Sequence, residues 1–303
     1  MKKIFLLFAA LSVLFVVSAQ EANLSLILEK GKVYKLRSES KQNLNQEVMG
    51  QKSDVATTVS SISSFMVNLI DNGNYDLEVK YEKMTLSMQS SRGTVDFSSE
   101  KKTSEDILST LLSAMVNKPF HVIISNTGRI TEVSGIEALF QAAGSQFSSI
   151  TTTQLQQIKP QIMRAFGEEV FKSNLSLFTS VLPNKVVAKG AKWVGRSRIL
   201  VGTNMISRPD FELIDLTSEY ALIKGIGKYA TQNKEEKAVG SPMKYDMTGT
   251  ILSEVKIDRS TGWVLEAKMD QDFTGKASLD KTEQMPDGLA IPTTIKNTLI
   301  FTK

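Results

Sequence analysis

The stretch "DNGNYDLEVKYEKMTLSM", residues 71–88, decides the fold. Its apolar residues first alternate with charged ones, as in a strand with one buried and one solvated face. These residues are Tyr75, Leu77, Val79 and Tyr81. The alternation then changes phase and continues at Met84, Leu86 and Met88, which predicts a β-bulge near Glu82-Lys83 that bends the sheet. Asn72-Gly73 favours a two-residue hairpin turn, so the strands on either side should pair antiparallel.

An amphipathic helix is predicted next, in "TSEDILSTLLSAMVN", residues 103–117. Thr103 or Ser104 can cap its N-terminus, and Glu105 and Asp106 fall in the first turn, where the helix dipole favours negative charge. The residues at helical spacing are Ile107, Leu108, Leu111, Leu112, Met115 and Val116. Their single apolar stripe should pack against the sheet.

A second hairpin and a helical stretch follow. "FHVIISNTGRITEV", residues 120–133, should turn at Asn126-Thr127-Gly128. Ser134 and Glu137 form the pattern of a capping box that opens a short helix, which Gly144 would end. Residues 152–182 form a longer helical stretch, in which Pro160 and Gly167 predict a kink or break and Leu182-Pro183-Asn184 marks the end.

A short sequence pattern at the start of the first long predicted strand recurs in the second half of the chain. Glycine, an aromatic residue and Arg-Ser occur at the same spacing in two places: Gly31, Tyr34, Arg37 and Ser38, and then Gly190, Trp193, Arg196 and Ser197. The second half also has a hairpin signal at Ser260-Thr261-Gly262, like the one at residues 126–128. We therefore expect an α+β fold, mostly antiparallel β. Two related β units would form a curved sheet or half-barrel, with helices inserted after the first unit and between the halves.

The expected organisation has four parts. Residues 1–19 are a signal peptide, 20–135 a first β unit with an inserted amphipathic helix, 136–183 a helical segment, and 184–303 a second β unit. Lys2 and Lys3 precede the apolar run 4–17, and small residues allow cleavage after Ala19. The protein should thus be exported to the periplasm or the extracellular space, without a transmembrane anchor after cleavage.

Composition excludes several classes of function. The net charge of +4 falls to +2 when Lys2 and Lys3 are removed, and the sequence lacks a basic block, so we expect no nucleic-acid partner. The chain has no cysteine and one histidine, His121, which excludes the usual His/Cys zinc sites and Cys-His nucleophiles. His121 lies in a predicted strand, where a half-buried, hydrogen-bonded role is expected.

Other motifs carry little chemistry. The S-x-x-K matches at Ser38 and Ser98 lack their companion elements, and "GIGK", residues 225–228, predicts a bulge in a strand. Asp270 and Asp272 share one side of a strand but lack a calcium-loop pattern, and Glu168-Glu169 is expected to be a solvated face. The aromatic residues expected in the core, with a pocket wall as the alternative, are Tyr34, Tyr75, Trp193 and Trp263. We therefore assign no catalytic, cofactor-binding or metal-binding residue, expect no cofactor, and leave the ligand-binding residues unassigned.

Three stretches resemble a family of uncharacterised exported proteins of Bacteroidetes: "GKVYKLRSES" (31–40), "PFHVIISNTGRITEVSG" (119–135) and "LPNKVVAKGAKWVGRSR" (182–198). The matching features are turn glycines and core aromatic residues. The resemblance therefore implies location and architecture, and it supplies no active site. One architecture that suits the pattern resembles the lipoprotein-carrier fold, a curved open sheet whose concave side is covered by helices.

These expectations favour a non-enzymatic cell-envelope protein that binds an apolar or lipid-like ligand in a concave sheet. The alternative is a structural or protein-interaction module whose sheet edges pair with an envelope protein. An outer-membrane barrel would suit the alternating strand that contains Phe301, but the helical middle argues against it. A hydrolase that uses only carboxylates stays open, because spatial pairs of Asp and Glu cannot be recognised in a sequence.

Overall fold

The computed structural model describes residues 21–48, 50–101, 106–183, 185–238, 241–281 and 286–303. The expected signal peptide, residues 1–19, lies outside this range, as do Thr103, Ser104, Glu105 and Asn184.

The described residues form sixteen strands and four helices. The strands are β1 (Glu21–Asn23), β2 (Val33–Val48), β3 (Gln51–Asp71), β4 (Asn74–Ser90), β5 (Gly93–Ser98), β6 (Pro119–Ser125), β7 (Ile130–Ser134), β8 (Val186–Ala188), β9 (Lys192–Val194), β10 (Ser197–Val201), β11 (Thr203–Ser207), β12 (Asp210–Leu216), β13 (Tyr220–Thr231), β14 (Lys244–Asp258), β15 (Val264–Leu279) and β16 (Leu289–Thr302). The helices are α1 (Ile107–Met115), α2 (Ile136–Ser145), α3 (Thr152–Phe166) and α4 (Glu168–Thr179).

One large antiparallel sheet of fourteen strands dominates the fold. Its main path runs β10-β11-β13-β14-β15-β16-β2-β3-β4-β6-β7, and it is curved and unclosed. The last strand, β16, pairs with the first long strand, β2, with Phe301 opposite Ser38. The α+β, mostly antiparallel fold class is thus confirmed, and strands from both halves of the chain belong to one continuous sheet.

The hairpin and the bulge predicted from residues 71–88 are both present. Asn72 and Gly73 have φ values of 47° and 76°, as a two-residue turn between β3 and β4 requires. In the β3–β4 pairing, Ile62 lies opposite Lys83 and the next residue, Ser63, lies opposite Tyr81. Glu82 is therefore the extra residue of a bulge, and it brings Tyr81 and Met84 to the same buried face.

The two segments that begin at Gly31 and Gly190 resemble each other only over a few residues. Both glycines have positive φ, 78° and 84°, and each precedes a strand with an aromatic residue. Tyr34, however, is buried in the 16-residue strand β2, whereas Trp193 is half-buried in β9, which has three residues and pairs only with β12.

Two predicted helix caps are wrong. Asp106, expected in the first turn of α1, is instead its N-cap and accepts a hydrogen bond from the Ser109 amide at 3.0 Å. The capping box of Ser134 and Glu137 does not form, because the Ser134 hydroxyl donates to Glu132. Helix α2 also runs one residue past Gly144, to Ser145.

The N-terminus of α2 is capped from another helix. Glu168 Oε1 accepts hydrogen bonds from the amides of Gly135 at 2.8 Å and Ile136 at 3.0 Å. A carboxylate at this position satisfies two free amides and faces the positive end of the helix dipole. The expectation that Glu168 and Glu169 form a solvated face is therefore wrong for Glu168, while Glu169 is exposed.

The break at Gly167 is confirmed, and it divides the helical stretch into α3 and α4. A side chain at this position would collide with the Met163 carbonyl, so the chain needs glycine to turn here. Pro160 lies inside α3 without ending it. Helix α4 ends at Thr179, before the predicted stop at residues 182–184.

"GIGK" lies in regular sheet, and the predicted bulge is absent. Residues 225–228 of β13 pair with β14 without a shift of register. A side chain at Gly225 would collide with the ring of Phe211 on the neighbouring strand β12. Glycine is thus needed for side-chain packing rather than for a change of strand geometry.

The two ends of the main path of the sheet meet at α4. The main path ends at β7 and at β10, and α4 contacts both strands. On the β10 side, the Leu200 amide, at the edge of the sheet, donates to the Ser173 hydroxyl of α4 at 2.8 Å. Helix α4 therefore covers the seam between the two ends of an open sheet.

Replacing Glu168 with Ala should lower the free energy of unfolding by about 1 kcal/mol, because the first amides of α2 lose their acceptor. The measurement is urea unfolding at neutral pH. Glu169→Ala removes the same charge from the first turn of α4 without touching α2, and it should change stability by less than about 0.5 kcal/mol. If the two variants lose the same amount of stability, the assignment of Glu168 as the cap of α2 is contradicted.

Candidate ligand cavity

A cavity of about 430 Å³ lies between the concave face of the sheet and helices α3 and α4. Its floor comes mainly from β2, β3, β4 and β16, and its roof comes from the α3–α4 pair. The strand β10 closes one side through residues 199–201. Elements distant in sequence are thus brought together around one space.

Uncharged polar side chains cross the floor. The Ser40 hydroxyl donates to Asn297 Oδ1 at 2.9 Å, and Asn297 Nδ2 donates to Gln271 Oε1 at 3.2 Å. The hydroxyls of Ser38 and Ser61, directly opposite each other on β2 and β3, are 2.8 Å apart. We call these five residues the polar ladder. It offers hydroxyl and amide groups, without a formal charge, to whatever occupies the cavity.

Apolar side chains form the rest of the walls. On the sheet side they include Leu36, Leu44, Val59, Leu86, Met88, Ile295, Leu299 and Phe301. On the helix side they include Phe166, Val170, Phe171, Leu175 and Leu177. The cavity is therefore amphipathic, with a hydrogen-bonding strip between apolar walls.

The roof is attached to the sheet at the turn between α3 and α4. The Tyr81 hydroxyl donates to the carbonyl of Phe166 at 3.0 Å, at the point where α3 ends. Around this bond, the ring of Tyr81 contacts the rings of Phe120, Phe166 and Phe171. This buried cluster fixes the height of the roof above the sheet.

Two charged residues, Arg164 and Glu39, are among the described residues that line the cavity, although the side chain of Glu39 points to the solvent face of β2. Arg164 is exposed, so it marks the rim of the cavity, and Glu39 pairs with Lys41 at 2.7 Å. Burial raises the pKa of the Tyr245 hydroxyl, and the positive charge of Arg164 acts against this rise.

Of the candidates considered in the sequence, Ser38 lies on the floor of this cavity as a member of the polar ladder, whereas the histidine and the carboxylates lie elsewhere. His121 is on β6, as expected, but the expectation that it is half-buried is wrong, because 54% of its side chain is exposed. Its Nδ1 lies 3.5 Å from Asp76 Oδ1. Asp270 and Asp272 each face a lysine, Lys268 and Lys296, at 2.8 and 3.6 Å.

The four aromatic residues also lie elsewhere. Tyr34, Tyr75 and Trp263 are in the core, as expected. Trp193 is half-buried, and its indole nitrogen donates to the Val181 carbonyl at 3.1 Å. Within the described residues, no group of three or more His, Cys, Asp and Glu side chains could hold a metal ion.

The polar ladder was not recognised in the sequence, although β2 contains a signal for it. The residues of β2 that point to the solvent are charged at four successive positions, Lys35, Arg37, Glu39 and Lys41. Those of the opposite face are apolar and then polar without charge: Leu36, Ser38, Ser40 and Gln42. A strand with one charged face and one small, uncharged polar face is the pattern expected next to an internal cavity.

The family DUF6263, described as a family of unknown function, matches residues 72–264. The chain belongs to this family. The matched residues of the DUF6263 chain include all of β4, all four helices and the strands up to the start of β15. No curated protein matches the chain in sequence.

Similarity to solved structures is weak. A structure titled "Lipid-protein interactions in lipovitellin" is 10% identical, covers 91% of this chain and has a TM-score of 0.48. The chain spans only 25% of that protein's length. The COG4313 outer membrane channel from Pseudomonas putida F1 is 7% identical, with a TM-score of 0.23, and the two chains are covered to 91% and 97%. OccK11 (OpdR) of Pseudomonas aeruginosa is 8% identical, with a TM-score of 0.19 and coverage of 91% and 98%.

The helices are short relative to the thickness of a membrane. In the described parts of the chain, no helix has the length and apolar character needed to cross a bilayer, and the longest, α3, has 15 residues.

Replacing Tyr81 with Phe should change how stability depends on pH. Burial raises the pKa of the Tyr81 hydroxyl well above its usual value of 10.0. Above about pH 10 the unfolded chain loses this proton while the folded chain keeps it. The free energy of unfolding should therefore fall as pH rises, and Tyr81 alone should contribute about 1.4 kcal/mol per pH unit to this fall. Tyr81→Phe should lack this contribution.

The measurement is urea unfolding of both proteins at several pH values above 9. At neutral pH, the variant should be about 1 kcal/mol less stable, because the Phe166 carbonyl loses its donor. Parallel pH slopes for the two proteins would contradict the burial of an un-ionised Tyr81.

Proposed function

We propose that this chain is an exported, non-enzymatic protein of the cell envelope that holds an amphipathic, lipid-like molecule under α3 and α4. The observation that carries the proposal is the polar ladder between the apolar walls of a roofed cavity. The N-terminal pattern that ends at Ala19 supports export.

The size and lining of the cavity favour a ligand over a simple packing defect. Its volume of about 430 Å³ lies within the usual range for ligand pockets, about 300–1,000 Å³. An apolar chain would fit between Leu175 and Leu177 of the roof and Leu299 of the floor. A hydroxyl, ester or amide group could exchange hydrogen bonds with Asn297 and Gln271, which have both donor and acceptor atoms.

The charges at the cavity favour binding over catalysis. A hydrolase that uses carboxylates needs two of them across the reacting bond. Of the described lining residues only Glu39 is acidic, and it is paired with Lys41. The alternative of an interaction module that acts through sheet edges has less support, because α4 contacts both end strands, β7 and β10.

The first test is native mass spectrometry of the protein purified without detergent from the cells that make it. We expect an added mass that organic extraction releases as a lipid or another amphiphile. Val59→Trp should abolish this mass, because Val59 lines the cavity and a larger ring would fill it. Ser60→Trp, on the opposite face of the same strand, is the matched control and should keep the ligand.

If the wild-type protein shows only the mass of its own chain, without an added ligand, the proposal is contradicted. Equal retention of the ligand by both variants would place it outside the cavity, which would also contradict it. Circular dichroism should confirm that both variants fold.

A further inference from the structure

A second cavity, of about 1,040 Å³, lies on the other side of α4. Its walls are the tip of the β6–β7 hairpin, residues 127–130, and residues 193–200 of the β9–β10 segment. Its floor consists of Glu169, Lys172 and Ser176 of helix α4 and of Ser180, which caps the C-terminus of that helix. We call this space the seam groove, because it follows the gap between the two ends of the sheet.

The charge of the seam groove is strongly positive. Five basic residues line it: Arg129, Lys172, Lys185, Arg196 and Arg198. Its lining has one acidic residue, Glu169. Within the described part of the chain, none of the five basic residues forms an ion pair, whereas the nearby Lys189 and Lys192 are paired with Asp215 and Glu212. The positive charge in the groove is therefore not neutralised by the protein itself.

The donor groups in the groove suit an oxyanion. Arg196, just before β10, and Arg198, within it, are both exposed, flank the buried Ser197 and line the groove. Guanidinium groups match the geometry of phosphate oxygens with paired donors. Ser176 of α4 and its C-cap residue Ser180, four residues apart, add hydroxyl donors from the floor.

The walls of the groove are held in place without a ligand. At the hairpin tip, Gly128 lies so close to the Thr179 carbonyl of α4 that a side chain would collide with it. On the other wall, the bonds from the Leu200 amide to Ser173 and from Trp193 to the Val181 carbonyl tie the β9–β10 segment to α4 and its extension. An anion would thus enter a largely preformed site.

We propose that the seam groove binds a phosphate group, carried either by an anionic lipid headgroup or by a soluble molecule. The groove lies outside the roof, and this proposal does not depend on a ligand in the cavity beneath it. It adds a second binding site, for a charged group, to the cavity with the uncharged polar ladder on the inner side of α4.

The test compares Arg196→Gln/Arg198→Gln with Lys228→Gln/Lys276→Gln. The second pair removes the same charge from exposed positions of β13 and β15, away from the groove. Each protein is floated with vesicles of phosphatidylcholine, with or without phosphatidylglycerol. Each is also titrated with inorganic phosphate while the backbone amide signals of residues 127–130 and 195–200 are followed by NMR.

The wild-type protein should bind the anionic vesicles, or show saturable shifts with phosphate at these amides. The groove variant should bind about thirtyfold more weakly, as expected for the loss of two basic contacts, and the control should behave like the wild type. Vesicle binding would identify a lipid headgroup, and phosphate binding without vesicle binding would identify a soluble ligand. Binding of neither probe, or equal losses in the two variants, would overturn the proposal.

Discussion

The structure depends on helix α4 in the seam between the two ends of the sheet. A curved sheet that does not close leaves two strands with unpaired backbone groups, and such edges readily pair with other chains. Here the same helix contacts β7 and β10, and the Ser173 hydroxyl accepts the hydrogen bond of the edge amide of Leu200. Because α4 also carries Phe171, Leu175 and Leu177 over the concave face, the element that covers the edges is the one that roofs the cavity.

The two sides of α4 have opposite chemistry. Its inner side faces apolar walls and the uncharged polar ladder, whereas its outer side faces the arginines and lysines of the seam groove. This separation follows from the cost of burying charge: a hydroxyl or amide can be satisfied inside by one or two hydrogen bonds, whereas an ion needs a partner or water. The position of α4 relative to the sheet is in turn fixed by Tyr81 and by the cap that Glu168 provides for α2.

Local features of the fold could be predicted from the sequence, and those that depend on distant residues could not. The hairpin at Asn72-Gly73, the bulge at Glu82 and the break at Gly167 each follow from the conformational limits of a few adjacent residues. The sequence pattern predicts a cap of α2 by Ser134 and Glu137, because such a pattern relates only nearby residues. The actual acceptor, Glu168, is 33 residues from Gly135.

The cavity could not be predicted from the sequence for the same reason. Ser40 and Asn297 of the polar ladder are 257 positions apart in the chain, and they meet only because β16 pairs with β2. The contrast between the charged and uncharged faces of β2 could have indicated which side is enclosed. It could not have shown which strands join it, nor that one helix separates this space from a basic groove.

The most direct test of the account is a crystal structure of the protein loaded with its own ligand. The account predicts continuous electron density between the sheet and α3–α4, with a polar atom of the ligand at hydrogen-bond distance, about 2.7–3.2 Å, from the side chain of Asn297 or Gln271. A cavity that holds only water while the ligand lies elsewhere on the protein would contradict it.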